Sequence, residues 1–250
     1  MKILLPPSET KRAGGRGAPL DTDALVLPRL RPQRDAVIDA LIVLSTDETN
    51  ARRVLKLSER QAGDIQHNRR LRSSPTMPAV DRYTGVLYDE LDASSLTPVQ
   101  RDHLAEHVWI HSAPFGPVGA LDPIPMYRLA AGTALPGIPG LRRHWAAATT
   151  AALEAEAPTF VLDLRSEAYV ALGPVPSSVP SAYVRVVTND AEGTRALNHF
   201  NKKAKGAFAR AFAKDRPDVD SGGQLREWAT GRGIRLRETD EARVWELVVR

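Results

Sequence analysis

Three short segments of the 250-residue chain carry side chains that could bind an anion or do acid–base chemistry. In the first, Ser8, Thr10 and Lys11 follow a predicted strand at residues 2–5 and two prolines. Hydroxyl and ammonium groups are donors suited to a phosphate or a carboxylate. The segment does not match Gly-x-x-x-x-Gly-Lys-Ser/Thr, so it is predicted to hold an anion without being a nucleotide P-loop.

The second segment follows a predicted central strand at residues 159–164 and contains Ser166, Glu167 and Tyr169. Ligands of α/β proteins tend to bind at the carboxyl ends of such strands. A glutamate beside a lysine suits general acid–base catalysis, so Ser166, Glu167 and Lys11 are candidate catalytic residues. A purely structural role for the segment is an equally good interpretation at this point.

The third segment is a basic amphipathic helix predicted over residues 195–214. At about 100° per residue, one sector is apolar and should face the core; it holds Leu197, Phe200, Ala204, Phe208, Ala211 and Phe212. The opposite sector is cationic and holds Arg195, His199, Lys202, Lys203 and Arg210, with Lys205 at its flank. Gly206 projects into the basic sector, where a missing Cβ would let a phosphate approach closely. The alternative is a solvated helix with a tolerated glycine.

His103, His107 and His111 recur every four residues, a spacing that aligns metal ligands on a helix. The β-favouring residues 108–110 predict a strand that breaks this alignment. No His-Glu-x-x-His motif is present either, so the sequence predicts no metal site and no cofactor.

The elements that position these segments alternate along the chain. Strands are predicted at residues 2–5, 159–164, 183–188, 234–237 and 244–249, and helices at 35–44, 50–57, 144–153 and 195–214. Ser58 and Gln61 form a capping-box pattern, which predicts a new helix after Ser58. Two basic helices joined by so short a turn indicate a helix–hairpin–helix-like element. The pattern favours a mixed α/β (α+β) fold with a central mixed sheet, in one domain over residues 1–250.

Composition narrows the functional classes further. Cysteine is absent, which excludes disulfides, thiolate metal sites and a catalytic thiol. The net charge is only +4, but basic residues cluster at 52–72 and 195–216. No window approaches the roughly 18 apolar residues of a membrane span, and the apolar run at 3–5 is too short for a signal peptide. The sequence therefore predicts a cytoplasmic protein that does not associate with a membrane.

Five motifs, in order, resemble those of YaaA-like proteins. They are Ile-Leu-Leu-Pro-Pro-Ser-Glu-Thr-Lys at 3–11, Tyr-Thr-Gly-Val-Leu-Tyr at 83–88, a Gly-rich stretch from Phe115-Gly116 to Tyr127-Arg128-Leu129, Leu-Arg-Ser-Glu-Ala-Tyr at 164–169, and Phe-Asn-Lys-Lys-Ala-Lys-Gly at 200–206. The resemblance implies one compact domain of unusual topology with a positively charged cleft. It also implies DNA binding, through that cleft and a non-standard helix–hairpin–helix, and protection of DNA in peroxide stress by limiting intracellular iron.

We therefore expect DNA as the partner, bound with low sequence specificity. The expected cleft cations are Lys11, Arg128, Lys202, Lys203 and Lys205. Tyr83, Tyr88, Tyr127 and Tyr169 could stack on bases or donate to phosphates, or could be core residues with satisfied hydroxyls. The runner-up is an enzyme that acts on a nucleotide or a small anionic metabolite in the same cleft. The oligomeric state stays open.

Overall fold

The computed structural model describes residues 1–188 and 194–249, and the side chains of 1–187 and 199–249. The strands are β1 (Lys2–Leu5), β2 (Met77–Pro78), β3 (Val108–Ser112), β4 (Gly116–Gly119), β5 (Pro123–Ile124), β6 (Val161–Asp163), β7 (Ser181–Thr188), β8 (Arg235–Glu238) and β9 (Val244–Val249). The α-helices are α1 (Arg31–Leu44), α2 (Glu48–Leu55), α3 (Asp64–Arg69), α4 (Ala79–Arg82), α5 (Val86–Leu91), α6 (Pro98–His107), α7 (Leu141–Glu156), α8 (Glu167–Val170), α9 (Thr194–Asp215) and α10 (Gly222–Gly231).

A seven-stranded mixed sheet organises the chain, in the order β4-β3-β1-β6-β7-β9-β8. The five inner strands are parallel, while β4 and β8 pair antiparallel at the two edges. Strand β1 lies between β3 and β6, with Leu4 beside Trp109 on one side and Asp163 on the other. The predicted mixed α/β fold is confirmed.

The order of the strands reverses direction beside β1. The chain passes from β1 to β3 on one side, and later continues from β6 through β7 to β9 on the other. In open α/β sheets such a reversal leaves a crevice at the carboxyl ends of the two strands that flank it. The segments that follow β1 and β6 are therefore placed where ligands bind in this class of fold.

The predicted strands are present, and the terminal pair β8–β9 is an antiparallel hairpin as expected. Strand β4 lies in the Gly- and Pro-rich stretch around Pro117, where the sequence predicts no strand. It pairs with β3 alone and forms one edge of the sheet. Proline is tolerated there because an edge strand does not need every backbone N–H.

The segment predicted as a helix–hairpin–helix begins with α2 and ends with α3. Lys56 ends α2 in the left-handed conformation, at φ 54°. The Ser58 backbone N–H donates to Gln61 Oε1 at 3.2 Å, as the capping-box pattern predicts. The element after Ser58 is one 3-10 turn, Glu59–Gln61, and α3 begins only at Asp64. The functional assignment of this segment stays a prediction.

Helix α9 packs on two sides, which corrects its predicted orientation. Phe208 and Phe212 are buried, as expected, but Phe200 is 37% exposed. Gly206 is also buried, against α5. A Cβ at this position would lie only 2.2 Å from the carbonyl oxygen of Leu87. The interpretation of Gly206 as a phosphate contact is therefore wrong: its missing Cβ serves helix–helix packing. The side chains of Arg195 and Leu197 lie outside the described residues.

Within residues 1–188 and 194–249, no helix is both long and apolar enough to span a bilayer.

Candidate functional site

A cleft of about 770 Å³ opens at the carboxyl ends of β1 and β6. Three chain segments line it: residues 6–10 after β1, residues 84–88 at the start of α5, and residues 166–169, which follow β6 and enter α8. Tyr183 of β7 and residues 201, 202 and 205 of α9 complete the lining. The cleft thus brings together four of the sequence motifs at the point where the strand order reverses.

The loop after β1 presents hydroxyl groups to the cleft. The Thr10 backbone N–H donates to Ser8 Oγ at 3.3 Å, and the Thr10 hydroxyl donates to the carbonyl oxygen of Thr84 at 3.2 Å. Gly85 follows with φ +92°, and a Cβ there would lie 3.2 Å from Thr10 Oγ1. A glycine is therefore needed where residues 84–88 pass the hydroxyl-bearing loop.

Lys11 and Arg128 support this loop instead of lining the cleft. The Lys11 ammonium donates to the carbonyl oxygens of Ser8 at 2.9 Å and Glu9 at 3.3 Å. Burial removes water from the ammonium, and with repulsion from Arg128 it lowers the pKa of Lys11 to about 7. The Arg128 guanidinium donates to the Glu9 carbonyl at 3.4 Å and lies 3.8 Å from its carboxylate.

Two of the predicted ligand-contacting tyrosines are core residues. Tyr83 and Tyr127 are each only 2% exposed, and their hydroxyls are 2.8 Å apart. The Ser112 hydroxyl donates to Tyr127 at 3.1 Å. This burial leaves neither ring a free face for stacking on a base, which corrects their predicted role. Tyr88 donates to the carbonyl oxygen of Pro6 at 2.7 Å and, with the half-buried Tyr169, lines the cleft.

A buried ion pair underlies the β6 side of the cleft. Arg165 is fully buried and donates to Asp163 through Nε at 2.9 Å and Nη2 at 2.6 Å. Its Nη1 donates to His111 Nδ1 at 2.8 Å, so His111 carries its proton on Nε2. Burial, together with the Arg165 charge, depresses the pKa of His111 well below its usual value. The imidazole is therefore neutral, and Asp163 is neutralised by Arg165.

Of the candidate catalytic residues, Ser166 and Glu167 line the cleft and are exposed, whereas Lys11 does not line it. The sequence interpretation missed Tyr183, which lies beside Asp163 in the strand register. Burial raises the pKa of Tyr183, and the charges of Glu167 and Asp163 raise it further. The signal that could have found Tyr183 is its place in the strand next to β6.

The three lysines of α9 occupy different environments. Lys202 is exposed and lines the cleft, while Lys203 is exposed but outside the lining. Lys205 also lines the cleft but is only 5% exposed. Burial lowers the pKa of Lys205 to about 8, against the opposing influence of Asp163. The structure thus brings together Ser166, Glu167, Tyr169, Lys202 and Lys205 around one cleft.

His103, His107 and His111 do not share one helix, because a strand begins after His107 as the sequence predicts. His103 and His107 end α6 with ring centroids 4.3 Å apart, and the following strand β3 carries His111 into the core. Burial and the neighbouring His107 lower the pKa of His103 to about 4. Within residues 1–188 and 194–249, no three His, Asp or Glu side chains are grouped closely enough to hold a metal ion.

The fold and the cleft define the class of this protein. It is an α/β protein with a seven-stranded mixed sheet and a candidate ligand site where the order of the strands reverses. Residues 1–236 match the family profile described as "Peroxide stress protein YaaA", and the chain belongs to that family.

Curated relatives carry the designation UPF0246 protein. One from Corynebacterium efficiens is 45% identical over 248 residues, covering 97% of each chain. One from Streptomyces coelicolor is 42% identical over 214 residues, covering 85% of this chain and 82% of its own. A third, from Streptococcus pneumoniae, is 28% identical over 227 residues and covers 86% of each.

Proposed function

We propose that this member of the peroxide stress family binds DNA in the cytoplasm with little sequence preference. In this proposal it shields DNA and limits intracellular iron during peroxide stress. The observation that carries the proposal is the exposure of Lys202 and Lys203, neighbours on α9, one of which lines the cleft. Exposed ammonium groups neutralise phosphates and release counterions, which gives affinity without reading the base sequence.

The basic segment at residues 52–72 is proposed as a second contact. Arg53, Lys56, Arg60 and Arg70 are exposed in it, around the turn between α2 and α3. Other cations of the same segment are already engaged. Arg69 donates to the carbonyl oxygen of Thr46 at 3.0 Å. Arg72 is paired with two aspartates of α1, so the proposal rests on the four exposed side chains.

The two surfaces together explain how a chain of mild net charge could bind a polyanion. A net charge of +4 gives little long-range attraction, so affinity must come from local clusters. Phosphate contacts fix the position of a protein on a duplex but carry no sequence information. The proposal therefore includes no base-specific contact and predicts similar affinity for unrelated duplexes.

The experiment is a salt series of binding to a short duplex, with Lys202→Ala/Lys203→Ala beside the wild type. We expect a steep negative slope of log affinity against log salt for the wild type, shallower by about two in the variant. Lys214→Ala is the matched control, because Lys214 is an exposed lysine of the same helix outside the cleft lining. A wild type that does not bind duplex DNA at low salt would refute the proposal.

A further inference from the structure

Lys205 places a positive charge inside the cleft. It is only 5% exposed, although it lines the cleft together with Lys202. Burial of an ammonium is unfavourable unless an opposite charge accompanies it. The carboxylate that acts on Lys205 is Asp163, the last residue of β6.

Asp163 cannot serve as the full counter-charge for Lys205. Its two carboxylate oxygens accept from Arg165 at 2.9 Å and 2.6 Å, and one also accepts from the Arg165 backbone N–H at 3.0 Å. Arg165 is fully buried, so this ion pair is shielded from water, and the charge of Asp163 is compensated by Arg165. His111, the next member of the network, is neutral. Among the buried groups at this side of the cleft, Arg165 and Lys205 are two cations and Asp163 is one carboxylate. Glu9 and Glu167, the carboxylates of the lining, are exposed to solvent.

From this excess we propose that the cleft binds a small metabolite bearing a phosphoryl group, with that group held by Lys205. This goes beyond the proposed DNA binding, which uses Lys202 and Lys203. The phosphates of a duplex lie on the outside of a wide rod and can reach exposed ammonium groups. They cannot reach a side chain that is 5% exposed inside a cleft.

The size and lining of the cleft agree with a ligand of the size of a mononucleotide. A volume of about 770 Å³ lies within the range of small-molecule sites. Ser8 and Ser166 add hydroxyl donors to the same lining, and Tyr88 and Tyr169 add aromatic surface. Glu167 also lines the cleft and can accept from hydroxyl or amino groups of a ligand, but it repels a second negative group.

The test uses the whole chain with inorganic phosphate and adenosine monophosphate as probes, measured by calorimetry at constant ionic strength. We expect both to bind the wild type, the nucleotide more tightly. Lys205→Met should weaken binding by about tenfold to a hundredfold, the scale of one charge-assisted hydrogen bond. The control is Lys214→Met, which changes an exposed lysine of the same helix outside the cleft lining and should leave binding unchanged.

A second variant keeps the test informative if Lys205→Met does not fold. Glu167→Gln changes an exposed side chain and removes a negative charge from the lining, so phosphate should bind the variant more tightly than the wild type. The proposal is overturned if neither probe binds the wild type at millimolar concentration. It is also overturned if Lys205→Met and Lys214→Met bind the nucleotide equally well. Duplex binding in the same samples shows whether the DNA proposal stands independently.

Discussion

The ammonium group of Lys11 lies 4.1 Å from the centroid of the Tyr127 ring and donates to the carbonyl oxygen of Ser8 at 2.9 Å. The aromatic face and the carbonyl hold this cation against the loop after β1. Lys11 is thus a positioning residue for the hydroxyls of that loop, and Tyr127 belongs to its support. The presence of a lysine in the motif at residues 3–11 is therefore explained by its hydrogen bonds to the loop as well as by its charge.

Lys11→Met should loosen this loop while changing global stability by less than about 2 kcal/mol, because the lost hydrogen bonds are offset by the removal of a buried charge. The reporters are two backbone amides, Arg12 N–H bonded to the Arg82 carbonyl at 2.8 Å and Thr84 N–H bonded to the Thr10 carbonyl at 3.1 Å. We expect hydrogen exchange at both to accelerate about tenfold or more. Unchanged exchange at both amides would show that Lys11 does not hold the loop.

Gly206→Ala should destabilise the protein even though alanine is the better helix former. The new Cβ would meet the Leu87 carbonyl oxygen at 2.2 Å and Glu90 Cβ at 2.9 Å, so α5 must move. Overpacking of this kind costs about 1–3 kcal/mol, more than the roughly 1 kcal/mol gained in helix propensity. Gly223→Ala in α10, with no atom within 4 Å of its Cβ position, should be neutral or slightly stabilising. Urea unfolding of both variants tests the account, which fails if Gly206→Ala matches the wild type.

Arg165→Met should be among the most damaging single substitutions, because it leaves the 3%-exposed Asp163 without its partner. Removal of one member of a buried pair costs about 3–5 kcal/mol. The double variant Asp163→Asn/Arg165→Met should recover part of that loss, since no unpaired charge remains. The unfolding free energies of Arg165→Met, of Asp163→Asn and of the double variant give the coupling energy between the two residues. Strictly additive losses would contradict the assignment of a buried, mutually compensating pair.

The stability of the protein should rise with pH between about pH 8 and pH 10.5 because of Lys205. The pKa of Lys205 is 10.5 in the unfolded chain and about 8 in the folded protein. Between these values the unfolded chain binds more protons, so the unfolding free energy increases with pH. The increase amounts to at most about 3 kcal/mol.

Lys205→Met should show a smaller rise than the wild type, because the contribution of Lys11, whose folded pKa is about 7, remains in the variant. At neutral pH the variant should be more stable than the wild type when no ligand is present. Unfolding by urea across this pH range measures both effects. Parallel pH profiles for the two proteins would contradict the burial of a charged Lys205.

Most of the fold could be predicted because its central strands are short and apolar and are bounded by residues that interrupt a strand, such as proline. Residues 2–5 are followed by two prolines, and the β-favouring residues of 234–237 and 244–249 predict the hairpin of β8 and β9. Strand β4 could not be predicted, since its identity comes from pairing with β3 and not from its own glycine and proline residues. Local propensity carries no information on such long-range pairing.

The candidate site was predictable in its segments but not in its details. The position of Ser166 after a central strand, and of Ser8 after β1, places both at one sheet edge. The spacing of apolar residues in α9 predicts a single buried face, however, whereas the helix is buried on two faces. The second face consists of Gly206 and of Arg210, which donates to the carbonyl oxygen of Leu91 at 3.0 Å. Neither residue type is apolar enough to reveal such a contact, so the depth of Lys205 could not be foreseen.

The most direct test of the proposed DNA binding compares the acetylation rate of each lysine with and without a saturating duplex, read by mass spectrometry. Lys202 and Lys203 should be protected, and Lys214, about 17 Å further along the same helix, should react at its unliganded rate. Protection of Lys202 and Lys203 with Lys214 unaffected is the result that the account predicts. Equal reactivity of all three lysines in bound and free protein would contradict it.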